Sequence, residues 1–282
     1  MDIPHPTASI ILAAGRGSRM QGYDGSKTLL PLAPDGSIYL GRKPILEYIF
    51  DNLPEGPKAL VVNHCKEEVV AATRHLEPSY WEQPVLNGTG GALLAAAQFV
   101  RSQDCSSVII TMGDVPFIKP ETYGQMVGLL DAFDMVILGF QPADKKQYGL
   151  LEVCDERVVR IVEWKHWRDY DFDRQGAMTL CNSGIYAFQR EALERYFPVM
   201  ANRPQIVHKM VGGRMTAIEE YFLTDLVEFM NLDRRPVGYL FTDDENETMG
   251  VDDREALEKA QTIYARNVLC LEPPRTQSLA RP

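Results

Sequence analysis

The chain has 282 residues and carries 29 Lys and Arg against 39 Asp and Glu, which gives a net charge of −10. Such an acidic balance excludes broad nucleic-acid binding, because neutralising a phosphate backbone requires a basic face. No apolar run reaches the ~18 residues that cross a bilayer, the first residues form no basic signal segment, and the five cysteines include no CxxC pair. We therefore expect a cytoplasmic protein with reduced thiols and without a membrane or nucleic-acid partner.

Short apolar runs alternate with helical patterns in the first half of the chain. The runs predict buried strands at residues 9–13, 58–62, 107–111 and 135–138. Apolar residues that recur every three or four positions predict helices at residues 45–53, 92–100 and 120–130. This order predicts an α/β fold with a Rossmann-like, mostly parallel central sheet.

The pattern changes after residue 149. A hairpin is predicted at 150–154 and 157–161, followed by strands at 180–188 and 237–241 and helices at 222–230 and 256–264. These elements predict a smaller antiparallel part, followed by a C-terminal tail at 267–282.

A glycine-rich turn follows the first strand. Gly15 and Gly17 leave main-chain N–H groups free to converge on a phosphate. The spacing matches neither the Rossmann fingerprint nor the P-loop, so a purely structural turn stays possible on spacing alone. The nearby cations Arg16, Arg19 and Lys27 favour a phosphate loop.

Three polar residues allow both a structural and a functional interpretation. Asp114 follows a buried strand, where it could bind a metal or cap a turn. Asp252 could cap the last helix, because Glu255 follows at capping-box spacing. Thr89 could cap a helix that begins at Gly90.

Taken in order, the motifs resemble those of the sugar-1-phosphate nucleotidyltransferases, or NDP-sugar pyrophosphorylases. The resemblance covers roughly residues 8 to 265 and is greatest to the uridylyltransferase domain of the bifunctional N-acetylglucosamine-1-phosphate uridyltransferases. The matching positions are 12–15, Gly17, Arg19, Met20, Lys27, Gln83, 87–92, 113–116, 148–149, Glu163, 182–184, 220–225 and 247–254.

The resemblance implies the nucleotide-diphospho-sugar transferase fold and a Mg²⁺-dependent transfer of a nucleotidyl group, most often UMP from UTP, to a sugar 1-phosphate. The catalytic residues that it implies are Arg19, Lys27 and Asp114, and the implied Mg²⁺ ligands are Asp114 and Asp252. The implied nucleotide-binding residues are Leu12, Ala13, Ala14, Gly15, Lys27, Gln83, Gly88, Thr89, Met112 and Gly113. The implied sugar-binding residues are Gly149, Glu163 and Asn182.

The same resemblance predicts the domain layout. Residues 1–266 would form one nucleotidyltransferase domain, with an NTP-binding half at about 8–140 and a sugar-binding half at about 141–250. Hexapeptide repeats do not follow residue 266, so we expect no β-helix acetyltransferase domain.

The chain also departs from the uridylyltransferases. Asp252 stands where they usually have Asn, Ser26 where they commonly have Pro, and Gly91 where the bifunctional proteins tend to have His. Residues 88–92 are also similar to those of guanylyltransferases for other sugar phosphates. A guanylyl- or cytidylyltransferase, or a non-catalytic nucleotide-sensing subunit of the same fold, therefore remain alternatives.

Two acidic stretches are interpreted as structural. Asp169, Asp171 and Asp173 begin like an EF-hand loop, but Arg174 replaces its glycine. The acidic run 243–247 is predicted to be a solvated loop.

Overall fold

The computed structural model describes residues 6–17, 20, 22–211 and 213–271. The strands are β1 (Thr7–Leu12), β2 (Pro31–Asp35), β3 (Ser37–Pro44), β4 (Lys58–Val62), β5 (Ser79–Glu82), β6 (Ser107–Met112), β7 (Met135–Phe140), β8 (Leu150–Cys154), β9 (Arg157–Val162), β10 (Cys181–Gln189), β11 (Gln205–Val211), β12 (Arg214–Glu220) and β13 (Val237–Thr242). The helices are α1 (Ile45–Asn52), α2 (Lys66–Thr73), α3 (Thr89–Ala95), α4 (Ala97–Ser102), α5 (Pro120–Gly128), α6 (Trp164–Trp167), α7 (Phe172–Ala177), α8 (Arg190–Ala201), α9 (Asp225–Leu232) and α10 (Arg254–Leu271).

One large twisted sheet organises the chain, and its main path runs β13-β7-β10-β6-β1-β4-β5. The contacts β1–β4, β1–β6, β4–β5 and β7–β13 are parallel, whereas β10 runs antiparallel to both β6 and β7. The β8–β9 hairpin joins this sheet through the pair Cys181 and Leu150. The predicted α/β fold with a mostly parallel sheet and a smaller antiparallel part is confirmed.

Both faces of the sheet are buried, which explains the continuous apolar runs in its strands. Successive side chains of a strand point to opposite faces. Ile10 therefore packs into the apolar layer on one side and Ile11 into the layer on the other, and both are fully buried.

Several local predictions differ from the structure. The helix predicted at 92–100 is two helices, α3 and α4, which meet at Ala96. The hairpin β11–β12 was not predicted. Its apolar residues do not pack on the core, and Ile206, for example, is 58% exposed, so the hairpin has no buried face that an alternating apolar pattern would mark. The helix predicted from residue 222 begins only at Asp225.

The parallel strands end along one edge of the sheet, called here the carboxyl edge. β1 and β6 end there at Leu12 and Met112, which are paired in register. Because β10 runs the other way, its first residues lie at the same edge. Open α/β sheets bind ligands at this edge.

Candidate active site

The glycine-rich turn after β1 lies beside the turn after β6. The Gly113 N–H donates to the Leu12 carbonyl at 2.9 Å, and a Cβ at Gly113 would lie 2.9 Å from the Cβ of Ala13. Only glycine allows the two turns to approach this closely. Leu12, Ala13, Met112 and Gly113 are thus neighbours, and Ala14 and Gly15 continue the first turn.

Lys27 joins two carboxylates that lie far apart in the chain. Its ammonium contacts Asp114 Oδ2 and lies 2.7 Å from Asp252 Oδ1. The side chain of Lys27 is 12% exposed, against 21% for Asp114 and 38% for Asp252. Burial alone lowers the pKa of Lys27, but the two carboxylates outweigh it and the pKa is raised. Lys27 therefore stays positively charged at neutral pH.

The loop before Asp252 is fixed by a buried carboxylate. Glu247 is 2% exposed and accepts hydrogen bonds from the backbone N–H of Lys119 at 3.1 Å and from the hydroxyls of Thr122 and Thr242. The predicted solvated loop at 243–247 is therefore wrong at Glu247. The Val251 N–H then donates to the Asp114 carbonyl at 2.8 Å, which brings the Asp252 loop onto the β6 turn.

The two helix-capping interpretations are wrong. α10 begins at Arg254, and Asp253 rather than Asp252 caps it by accepting from the Ala256 N–H at 2.9 Å. α3 begins at Thr89 itself, whose hydroxyl accepts from the Leu223 N–H at 3.2 Å. Asp252 and Thr89 are thus left for contacts outside their own helices.

Gln83 and Gly88 belong to one tightly packed loop. Gln83 is 3% exposed, and its amide nitrogen donates to Asn87 Oδ1 at 3.1 Å and to the Gly88 carbonyl at 3.0 Å. Gly88 has a φ of 93°, and a Cβ there would lie 2.4 Å from the Tyr221 carbonyl oxygen. The backbone of Tyr221 donates to the Asn87 carbonyl at 2.8 Å, so the loop is closed from the C-terminal half of the chain.

Gly91 keeps this loop in place. A Cβ at Gly91 would lie 1.9 Å from Asn87 Oδ1 and 3.1 Å from Gln83 Nε2. Because the resemblance implies that Gln83 and Gly88 bind the nucleotide, we expect Gly91→Ala to displace the two side chains that its Cβ would contact and to raise the KM for the NTP about tenfold, a loss near the upper end for one hydrogen bond. Steady-state kinetics with the NTP varied would measure this effect. Gly124→Ala in α5 is the control, because its Cβ would enter open space; similar KM values for both variants would contradict the role of Gly91.

The three predicted sugar-binding residues meet at the start of β10. The Asn182 N–H donates to the Gly149 carbonyl at 2.8 Å, and a Cβ at Gly149 would lie 3.6 Å from Glu163 Oε2. The Asn182 side chain donates to the Tyr186 hydroxyl at 2.8 Å and accepts from the Gly184 N–H at 3.0 Å. These contacts fix the orientation of Asn182.

Two contacts connect the predicted nucleotide and sugar sites. A Cβ at Gly184 would lie 3.4 Å from Met112 Cγ. On the other side, Leu223 contacts Thr89, and the hydroxyl of the next residue, Thr224, donates to Glu163 Oε1 at 3.3 Å. The predicted sets thus lie next to each other along the carboxyl edge.

Sequence reasoning missed the residues that close the site. Tyr221 and Thr224 lie in the motif 220–225, but no role was predicted for them. Asn87 likewise lies in the motif 87–92 without a predicted role of its own. The available signal was the position of these residues inside matching motifs. Arg19 lies outside the described residues, so the structure gives no position for this predicted catalytic residue.

The site also suits a hard divalent cation. Two carboxylate oxygens already flank one positive charge, and Mg²⁺ is commonly held by one or two carboxylates plus water and substrate phosphates. Within the described residues, no cluster of three or more His, Cys, Asp or Glu side chains could hold a metal. Asp114 and Asp252 therefore fit Mg²⁺ shared with a nucleotide better than an all-protein site.

Comparison with known families decides the class. The sequence profile of the MobA-like NTP transferase domain matches residues 9–164. The chain belongs to this family. It is thus an enzyme of the nucleotidyltransferase class, and the resemblance drawn from the motifs is confirmed.

Known relatives agree with this assignment. The chain is 32% identical over 267 residues to the bifunctional protein GlmU of Cereibacter sphaeroides, covering 93% of this chain and 53% of the relative. It is 33% identical over 268 residues to GlmU of Sphingopyxis alaskensis, covering 92% and 53%. The chain therefore spans about half the length of these relatives.

Solved structures confirm the fold. The uridine diphosphate N-acetylglucosamine pyrophosphorylase of Trypanosoma brucei superposes with a TM-score of 0.71 at 14% identity, over 92% of this chain and 65% of that one. A CMP:2-keto-3-deoxy-manno-octonic acid synthetase superposes with a TM-score of 0.61 at 15% identity, over 93% and 99%. None of the helices within the described residues is long and apolar enough to span a membrane.

Proposed function

We propose that this enzyme transfers a nucleotidyl group, UMP from UTP, to a sugar 1-phosphate and releases pyrophosphate in a Mg²⁺-dependent reaction. The observation that carries the proposal is the convergence of Lys27, Asp114 and Asp252 beside the glycine-rich turn. The names of the GlmU relatives and their similarity over nearly the whole chain support it. In this proposal residues 8–140 bind the NTP and residues 141–250 bind the sugar.

The residues present suit the chemistry of phosphoryl transfer. The attacking phosphate oxygen is already ionised, so no side chain has to remove a proton from it. Catalysis then depends on positioning and on positive charge near the α-phosphate. Lys27 supplies such a charge, and Arg19 is proposed as a second cation. Asp114 and Asp252 would hold Mg²⁺, which supplies charge neutralisation at the phosphates when bound.

Base recognition is proposed at Gln83 and Gly88. Because the Gln83 nitrogen is bound to Asn87 and Gly88, its carbonyl oxygen is the end of the amide left for a ligand. A carbonyl oxygen accepts from the N3–H of uracil, whereas cytosine offers an acceptor at N3. The same acceptor would suit the N1–H of guanine, so GTP is the main rival to UTP.

Pyrophosphate release tests the proposal directly. The purified chain would be mixed with each of four NTPs, each of several sugar 1-phosphates, and Mg²⁺ or EDTA. We expect turnover with UTP that disappears with EDTA and returns with added Mg²⁺. Turnover with GTP or CTP but not UTP would contradict the uridylyl assignment. Complete absence of turnover across the matrix would contradict the proposed transfer to a sugar 1-phosphate.

Glu163 should act on the sugar substrate alone. Because its carboxylate lies beside Gly149 and Thr224 rather than near Lys27, we expect Glu163→Ala to raise the KM for the sugar 1-phosphate about 10- to 100-fold, the scale of one or two charged hydrogen bonds. NTP affinity, measured by fluorescence titration, should change little. Glu191→Ala, an exposed carboxylate at the start of α8, is the control. Equal losses for both substrates would remove Glu163 from the sugar site.

A further inference from the structure

The sugar side of the site opens into a cavity of about 500 Å³. This volume lies within the range of ligand pockets, about 300–1,000 Å³. Glu163 and Thr224 line it, so it is continuous with the proposed sugar-binding residues. We call it the acidic cavity; its charged lining residues are Arg160, Glu163, Lys165, Asp169, Asp225 and Glu228.

The lining carries an excess of negative charge. Four carboxylates face two cations, which leaves a net charge of −2 with the histidine of the lining neutral. One of the two cations is paired with a carboxylate outside the lining. Arg160 donates from Nη2 at 2.7 Å and from Nε at 3.1 Å to one oxygen of Glu152, its cross-strand neighbour. The cavity therefore repels anions more than the count of its own charges suggests.

Asp225 is held in the cavity by a residue of the β11–β12 hairpin. The amide nitrogen of Gln205 lies 2.8 Å from one oxygen of Asp225 and 2.9 Å from the other. Burial raises the pKa of Asp225, the Gln205 hydrogen bond lowers it, and the neighbouring Glu228 and Glu163 raise it further. Burial is the largest cause of the raised pKa, and Lys165 offsets part of the effect of the two neighbouring carboxylates.

The charge distribution orients a sugar 1-phosphate. Its phosphate carries negative charge and is favoured near Lys27, while the sugar end points into the acidic cavity, where carboxylates accept hydrogen bonds. A second negative charge on the sugar ring would then enter a pocket whose four carboxylates outnumber its two cations, Arg160 and Lys165, which is costly in a partly desolvated site.

We propose that the acidic cavity selects the sugar, accepting rings with hydroxyl or protonated amino groups and rejecting rings that carry a carboxylate. The inference rests on the proposed function and goes beyond it by naming the substrate class. Asp225, placed by Gln205, and Glu228 are the residues that set this preference.

A charge series of substrates tests the proposal. The probes are glucose 1-phosphate, glucosamine 1-phosphate and glucuronic acid 1-phosphate, each with UTP or the preferred NTP. We expect the wild-type kcat/KM for the glucuronic acid derivative to be at least about 30-fold below that for glucose 1-phosphate, with the amino sugar used at least as well as glucose. Raising the ionic strength should reduce this difference in kcat/KM between the two substrates.

Charge-neutralising variants then locate the effect. Asp225→Asn should improve the ratio of acidic to neutral substrate about tenfold, and Glu228→Gln, on the exposed face of α9, about threefold. If Asp225→Asn fails to fold, Glu228→Gln alone tests whether the carboxylates of the cavity cause the discrimination against the acidic sugar. Asp131→Asn is the matched control, because it removes an exposed carboxylate before β7, at the opposite edge of the sheet.

The outcomes separate this inference from the proposed function. Turnover of glucose 1-phosphate without discrimination against the acidic sugar overturns the inference alone. Discrimination that is the same in the Asp225, Glu228 and Asp131 variants also overturns it. Absence of turnover with any sugar 1-phosphate overturns the proposed function, and the inference with it.

Discussion

Replacement of Asp114 by alanine is expected to lower kcat/KM about 10³-fold, the scale of losing one preorganised electrostatic contact at a reacting centre. The Asp114 side chain contacts Lys27, and it lies in the turn after β6, where it is proposed to hold Mg²⁺. Stability should fall by no more than about 2 kcal/mol, because Asp252 still pairs with Lys27 and the Asp114 carbonyl still accepts from Val251. Pyrophosphate release and urea unfolding measure the two effects separately.

The control for Asp114 lies at the other end of the same strand. Asp104 is an exposed carboxylate that precedes β6, and Asp104→Ala removes the same charge without touching Lys27. We expect it to retain wild-type turnover. If Asp114→Ala kept near-normal activity with an unchanged Mg²⁺ requirement, the metal assignment would be wrong. A large fall in stability of Asp114→Ala alone would instead indicate a structural role.

The sequence predicted the sheet well because its strands are buried on both faces. Runs such as residues 107–111 are apolar throughout, and helices such as α1 keep a periodic apolar face. The position of β10 was harder to predict. Its direction between β6 and β7 is set by tertiary pairing, including a register shift between Asn182 and Tyr186, and no local pattern encodes that.

The site was predictable only in part, for a similar reason. Lys27 is 87 positions from Asp114 and 225 positions from Asp252 in the sequence, so their spacing could not predict that they meet. The order of the motifs placed all three residues in one predicted site. Local spacing allowed Asp252 to be interpreted as a helix cap, but the cap is the neighbouring Asp253, which offers the same chemistry one residue later. Gln205 carried no signal at all, since its role depends on where the β11–β12 hairpin places it against Asp225.

Lys27 provides the second test with a large expected effect, because it should influence turnover and metal binding in opposite directions. Its ammonium lies between the two carboxylates that are proposed to hold Mg²⁺, so a cation arriving alone has to compete with it. Lys27→Met removes the charge and keeps the length of the side chain. We expect turnover to fall about 10²- to 10³-fold, because a cation near the α-phosphate is lost.

Metal affinity measured without nucleotide should rise in the same variant. With two carboxylates left without the ammonium, Mn²⁺ as a Mg²⁺ probe should bind about tenfold tighter by calorimetry, and should raise the melting temperature more than in the wild type. Lys43→Met is the matched control, because Lys43 also joins two carboxylates, Glu47 at 3.0 Å and Asp51, but does so at α1. It should change neither turnover nor Mn²⁺ binding. Unchanged or weaker Mn²⁺ binding by Lys27→Met would show that the ammonium and the metal do not compete, and that the two carboxylates need Lys27 to remain close enough to share a cation.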